Sequence, residues 1–287
     1  MKRKLLVIGV GAGNPDHVTV QAIEAMNRAE VFFIPDKGEE KAELARFRHA
    51  LIDRYVRAAT FRKVAYRVPA RRSGGDAYEG RVADWHAEIA RAYRQLLLTE
   101  LAESQTGAFL VWGDPTLYDS TLRILERVQA GGDIELDCEV IPGISSLQAL
   151  AARHRVALNE IGRAVMISNG QALGKRLPEN VESVAVLLNA EKALREADGE
   201  LDAYWGAYVG MPEEILVSGK LKDIADDVER RRALARRKNG WIMDCLLLKV
   251  PNERKATRPL APAPLLQGKR GAGAPHSPSP RARKRRT

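Results

Sequence analysis

Near its start the chain carries one short apolar run, Leu5-Leu6-Val7-Ile8-Gly9-Val10, between a basic stretch and a glycine-rich turn. Such a run, too short for a buried helix and bounded by turn residues, predicts a strand at 4–10. Apolar positions then recur at helical spacing over 20–28, with Thr19 as the N-cap. Val31-Phe32-Phe33-Ile34 reads as a second strand ended by Pro35, and a charged helical stretch at 39–55 leads to a third strand at 63–68. Residues 71–80, with Ser73-Gly74-Gly75, read as a polar loop. A long helix at 82–103, a strand at 108–112, a helix at 117–129 ending at Gly131-Gly132, a strand at 135–141 and a helix at 146–153 follow. Alternation of this kind predicts parallel sheets. A second set of strands is predicted at 164–168, 183–189, 203–209, 214–218 and 242–249, with short connections and one clear helix at 228–238. The expected division is an N-terminal α/β domain at 1–150, a C-terminal α/β domain at 151–250 and a tail at 251–287.

Composition narrows the function classes. With 45% hydrophobic and 29% charged residues the 287-residue chain is ordinary for a globular protein with real cores. No apolar run approaches the roughly 18 residues of a membrane span, so no membrane partner is expected and the location expected is cytoplasmic. Met1-Lys2-Arg3-Lys4 and the following apolar residues look like a signal peptide, but the run is short and passes straight into a turn, which suits a first strand better. Cys138 and Cys245 both lie in apolar, strand-like runs and are expected as two buried thiols of a reduced compartment. No cluster of Cys, His and acids has ligand spacing, so no metal is predicted; His86 and His154 are read as structural.

The net charge of +9 suggests nucleic acid until it is located. Residues 251–287 hold ten Lys or Arg against the single acid Glu253, which accounts for all of it and leaves 1–250 neutral. The same segment holds seven of the 14 prolines and few large apolar residues, the composition of a disordered extension.

Three turns carry candidate chemistry. Gly9-Val10-Gly11-Ala12-Gly13-Asn14-Pro15-Asp16 follows the first strand, and its G-x-G-x-G spacing is not the dinucleotide fingerprint. Glycines there serve either a close ligand approach or only a tight turn. Trp112-Gly113-Asp114-Pro115-Thr116-Leu117-Tyr118 follows the fourth predicted strand, at an edge where a parallel sheet opens onto its ligand crevice. Asp114 can accept hydrogen bonds from a ligand's amino or hydroxyl group, or cap the next helix. Glu139-Val140-Ile141-Pro142-Gly143-Ile144-Ser145-Ser146 presents hydroxyls and free amides at a helix start, which suit a small polar group or a bare N-cap.

In this order the three turns, with Val18-Thr19 after the first, resemble the signatures of the tetrapyrrole (corrin/porphyrin) methylase family over about residues 4–250. The resemblance implies two α/β domains with a cleft between them for S-adenosyl-L-methionine, the methyl donor. It implies donor contacts at Gly11, Gly13, Trp112, Gly113, Asp114, Tyr118, Ser145, Ser146, Leu188, Val209 and Gly210. Ala12 departs from the proline often found there. Asp36, at the end of the second strand, matches an acid proposed as general base in some relatives, whose partner lysine has no counterpart here beyond Arg67; the alternative is a turn-forming Asp after Pro35. The stretches Asp36 to Lys41, Phe109 to Pro115, Tyr204 to Tyr208 and Gly240 to Asp244 resemble the branch acting on a corrin precursor with acetate release. A polycarboxylate substrate makes Lys37, Lys41, Arg46, Arg71 and Arg72 candidate anchors, or only a solvated charged face. A homodimer is implied. The rivals are a ribosomal RNA ribose methyltransferase of the same superfamily, against which the neutral body counts, a tetrapyrrole methylase of another step, a nicotinamide-dependent dehydrogenase, and a nucleic-acid binder working through its tail.

Overall fold

The computed structural model describes residues 2–36, 38, 42–69, 78–174, 177–178 and 180–251. The predicted loop at 71–80 lies mostly outside these residues, as do Lys37, Lys41, Arg71, Arg72 and all of the tail beyond Pro251. Among the described residues ten strands form two five-stranded sheets. The first contains β1 (Lys2–Gly9), β2 (Val31–Asp36), β3 (Arg62–Arg67), β4 (Thr106–Val111) and β5 (Glu135–Ile141) in the order β3-β2-β4-β1-β5. Every pairing in it is parallel, so all five carboxyl ends share one edge. The helices α1 (Val20–Arg28), α2 (Ala42–Tyr55), α3 (Tyr78–Glu100) and α4 (Thr121–Ala130) connect them. Both faces of the sheet are covered, which is why β1 is apolar from Leu5 to Ile8. Its Leu5 and Val7 pack under the α3–α4 side with Phe33 and Phe109, while Leu6 and Ile8 pack on the other side with Met26, Leu51 and Ile52.

The second sheet holds β6 (Ala164–Ser168), β7 (Val181–Val186), β8 (Asp202–Ala207), β9 (Ile215–Lys220) and β10 (Asp244–Lys249) in the order β6-β7-β10-β8-β9. Here the expectation of parallel strands is corrected: only β6 and β7 are parallel, and β10 runs antiparallel to β7 and β8, as β8 does to β9. The short link from β8 to β9 forces that pair antiparallel, since a parallel crossover needs a dozen residues or more. Trp205 is fully buried at the centre of this sheet, against α7 (Leu221–Asn239). α5 (Ser146–His154) follows the first sheet in sequence but packs Leu147 and Leu150 against Leu247 and Val209 of the second.

Other boundaries shift for local reasons. α4 begins at Thr121, not at 117, because Tyr118 adopts a left-handed backbone with φ of 52° and Asp119 caps the helix through the Thr121 amide. A short helix α6 (Ala190–Glu196) fills a stretch left unassigned by pattern. Cys245 is buried as expected, but Cys138 is exposed, because β5 is an edge strand whose outer face carries little cover.

Candidate functional site

The three glycine-bearing turns meet at the carboxyl edge of the first sheet and bond to one another. Gly11 and Gly113 exchange backbone hydrogen bonds, the amide of Gly113 reaching the carbonyl of Gly11 at 2.8 Å. Asp114 then ties in the third turn, its Oδ2 accepting the amide of Gly143 at 2.9 Å. The chains run so close that a Cβ on Gly143 would sit 2.1 Å from the carbonyl oxygen of Gly113. Gly9 and Gly143 are therefore required by the protein's own packing. Gly113 differs: its φ of 69° favours glycine, yet a Cβ there would meet nothing nearer than Cα of Ser145 at 3.6 Å, so its backbone stands open.

That opening is the floor of a cleft of about 250 Å³ between the two sheets, close to the lower end of small-molecule sites at roughly 300–1,000 Å³. Trp112, Gly113, Asp114 and Tyr118 line it from the turn after β4, and Ser145 and Ser146 from the start of α5. Leu188 and Val209 close it from the turns after β7 and β8. Leu188 is 50% exposed, a large apolar side chain left open on the cleft. Ser145 is turned to its helix, forming a capping box with Gln148, while the Ser146 hydroxyl has no described partner.

Five of the described candidate residues, Gly11, Gly13, Asp36, Arg46 and Gly210, are absent from the wall. Gly11 and Gly13 stand behind Ala12, which does line the cleft; a Cβ on Gly13 would strike Cγ of Met211, and one on Gly210 would sit 3.1 Å from the amide of Asn14. These glycines dock the first turn on the second sheet. Asp36 lines no part of the cleft; it is exposed at the end of β2, its Oδ1 accepting the amide of Gly38 at 2.9 Å. Arg46 is exposed and pairs with Glu43. His154 is buried, its Nε2 3.0 Å from the carbonyl of Trp205, and burial pushes its pKa down, which fits a structural role.

Pattern reading missed Arg48, Asp119, Tyr208, Met243 and Asp244 on the wall. Arg48 fell within the charged helical stretch and Asp119 at the start of the predicted helix at 117–129, and only the β2-β4 neighbourhood of the sheet brings them together. Met243 and Asp244 lie at the mouth of β10, where Asp244 accepts hydrogen bonds from Trp205 Nε1 and Arg232 Nε, each at 3.0 Å. The cleft thus offers apolar walls (Leu187, Leu188, Val209, Met243), an aromatic corner where Trp112 meets Phe47 at 5.2 Å, and polar groups at Asp119 and Ser146. It suits a ligand with a flat apolar body and a polar end.

Comparison with known proteins gives the cleft a family. The chain is 52% identical over 248 residues to the precorrin-6A synthase [deacetylating] of Sinorhizobium sp., covering 86% of this chain and 95% of that one. The crystal structure of a cobalamin synthesis related protein (CobF) from Corynebacterium diphtheriae superposes with a TM-score of 0.73 at 32% identity, covering 87% of this chain and 98% of that one. A cobalt precorrin-4 methyltransferase shares the fold, with a TM-score of 0.55 at 19% identity over 86% of this chain and 94% of that one. A family model matches residues 4–225, and the chain belongs to the Tetrapyrrole (Corrin/Porphyrin) Methylases.

Proposed function

We propose that the chain is an S-adenosylmethionine-dependent C-methyltransferase of corrin biosynthesis that converts precorrin-5 to precorrin-6A with release of acetate. The observation that carries this reading is the 52% identity to a precorrin-6A synthase over nearly the whole of both chains. The cleft supports it: an apolar wall suits an adenosyl group, and the open backbone at Gly113 beside the Ser146 hydroxyl suits the polar end of an amino acid. Trp112, Gly113, Tyr118, Ser145, Ser146, Leu188 and Val209 would hold the donor, with Gly11, Gly13, Asp114 and Gly210 holding the turns that present them. Bound there, the donor supplies a methyl group already activated on a sulfonium.

The protein's own task is then placement. A corrin precursor has nucleophilic ring carbons, and fixing one in line with the methyl group is worth up to ~7–11 kcal/mol. Acetate release needs water added to the acetyl carbonyl and a base to take its proton. Asp36 is one candidate for that base; it follows directly on Pro35, which borders the inner cavity described below. The reading brings with it two domains meeting near residue 150, a homodimer, a cytoplasmic location and a tetrapyrrole as partner in place of nucleic acid. Among the described residues no helix is long and apolar enough to cross a membrane.

Incubating the purified protein with precorrin-5 and methyl-labelled donor tests the activity. Label in the pigment and one acetate per methyl group are expected. Methylation without acetate would make this a methylase of another step, and label entering ribosomal RNA in place of pigment would transfer it to the ribose methyltransferases.

A further inference from the structure

A second cavity of about 70 Å³ adjoins the cleft and shares Arg48 and Asp119 with it. So small a space holds a few waters or one two-carbon carboxylate, and no macrocycle. Its other walls include Phe33, Tyr66, Val68, Trp85 and Tyr93. Arg48 is only 7% exposed. Its Nε donates to the carbonyl of Leu110 and its Nη1 to that of Leu44, each at 2.8 Å. Among the described residues Nη2 has no hydrogen-bond partner and no carboxylate lies within 4.0 Å of the guanidinium. A buried charge whose counter-ion, here Asp119, stands beyond ion-pairing distance is costly unless a ligand supplies a closer one. Asp119 accepts the amide of Thr121 on Oδ1 at 2.7 Å, which leaves Oδ2 without a described donor.

We infer that this inner cavity receives the acetyl group the substrate loses, that Arg48 holds the oxyanion formed as water adds to its carbonyl, and that Asp119 takes the proton from that water. The inference rests on the reading of the reaction above. In the step a bond forms between the water oxygen and the carbonyl carbon. The carbon–carbon bond to the ring then breaks, and its electron pair passes into the ring system, which delivers a pair to the incoming methyl group. Both water protons end in solvent, the first by way of Asp119, and acetate departs from beside Arg48. A guanidinium placed where negative charge develops is the arrangement that lowers such a barrier most.

Two measurements on the full chain test this. Sodium acetate titrated into the protein, read by the fluorescence of Trp85 in the cavity wall, should saturate one site. Arg48→Met and the cavity-filling Val68→Phe should each weaken it at least tenfold, Arg48→Lys should retain part of it, and butyrate should bind at least tenfold more weakly. Absence of acetate binding, equal affinity in all variants, or competition between acetate and S-adenosylhomocysteine overturns the assignment; the last outcome would give Arg48 to the donor's carboxylate. With precorrin-5, Arg48→Met should slow acetate release at least a hundredfold, and Arg48→Lys should recover part of that rate. Asp119→Asn should slow acetate release at least a hundredfold, while Asp36→Asn leaves it within threefold. Normal acetate release in Asp119→Asn with its loss in Asp36→Asn would move the base to Asp36 and overturn the role of Asp119. Acetate released normally by the Arg48 variants sinks the inference alone, whereas no acetate from the wild type sinks the reading of the reaction.

Discussion

At the scale of single residues, Asp114 lines the cleft yet commits its carboxylate to the turns around it. Its Oδ1 accepts the amide and hydroxyl of Thr116 and its Oδ2 the amide of Gly143, so three donors of the protein surround the carboxylate. Partial burial acts to raise its pKa, but the hydrogen bonds from Thr116 and Gly143 outweigh it and hold the group below its ordinary value. A depressed carboxylate contributes stability above its unfolded pKa of about 3.9 and loses it as the pH falls through the folded value. Asp114→Asn leaves the Gly143 amide without its acceptor and should cost ~1–3 kcal/mol at neutral pH. Denaturant titrations of the two proteins should converge as the pH is lowered below about 3.9. Calorimetric affinity for the methyl donor should change less than threefold in this variant; a tenfold loss would show the carboxylate touching the donor. The two thiols offer a second check. Cys245 is fully buried and its pKa is pushed up to about 12 by desolvation, so it should resist alkylation in the native protein, while the exposed Cys138 should react. Alkylation of both at equal rates would contradict the packing around β10.

At the scale of elements, the turn after β8 is held from outside the sheet. Arg153 of α5 donates from Nε and Nη2 to Oε1 of Glu214, at 2.7 and 2.5 Å, and Oε2 of Glu214 accepts the amide of Gly210 at 2.9 Å. The pair is buried, so Glu214→Ala should cost ~3–5 kcal/mol by leaving Arg153 uncompensated, and the double change with Arg153→Met should recover part of it. Loss below 1 kcal/mol in the single variant would mean that the pair is solvated. This staple was not legible in the sequence, because two charges 61 residues apart meet only once α5 lies on the second sheet. What could be read is what local chemistry decides. Thr19 caps the amide of Ala22, and α1 has the predicted bounds; β5 and β6 match as well. Turns built from Gly, Pro, Asp and Ser announced the site. What could not be read depends on neighbours: the left-handed Tyr118 that delays α4, the exposed face of edge strand β5, the antiparallel half of the second sheet, and the inward turn of Arg48.

At the scale of the whole molecule, the cleft draws walls from both sheets, so a ligand seated there bridges them. Trp112, Gly113 and Ser146 come from one side and Leu188, Val209 and Met243 from the other. A donor that binds only the folded state at a hundred times its Kd adds about 2.7 kcal/mol of stability. For a chain of this size that is a rise of roughly 5–10 °C in Tm. S-adenosylmethionine should produce that shift and NAD should not, since the first turn lacks the dinucleotide spacing. The basic tail should have no part in it. β10 continues to Val250, whose amide donates to the carbonyl of Glu182 at 2.8 Å, and every described residue of the cleft lies before that point. The tail also holds the entire net charge, so its removal leaves a neutral body. Truncation after Pro251 should therefore keep the donor-induced rise in Tm within a degree or two and turnover within a few-fold. If the truncated protein still folds but the donor shift disappears, the tail closes over the cleft and the site drawn here lacks a wall. If instead the full chain binds RNA with steep salt dependence that vanishes with the tail, while donor binding stays intact, the tail is a separate electrostatic arm and the cleft keeps its role.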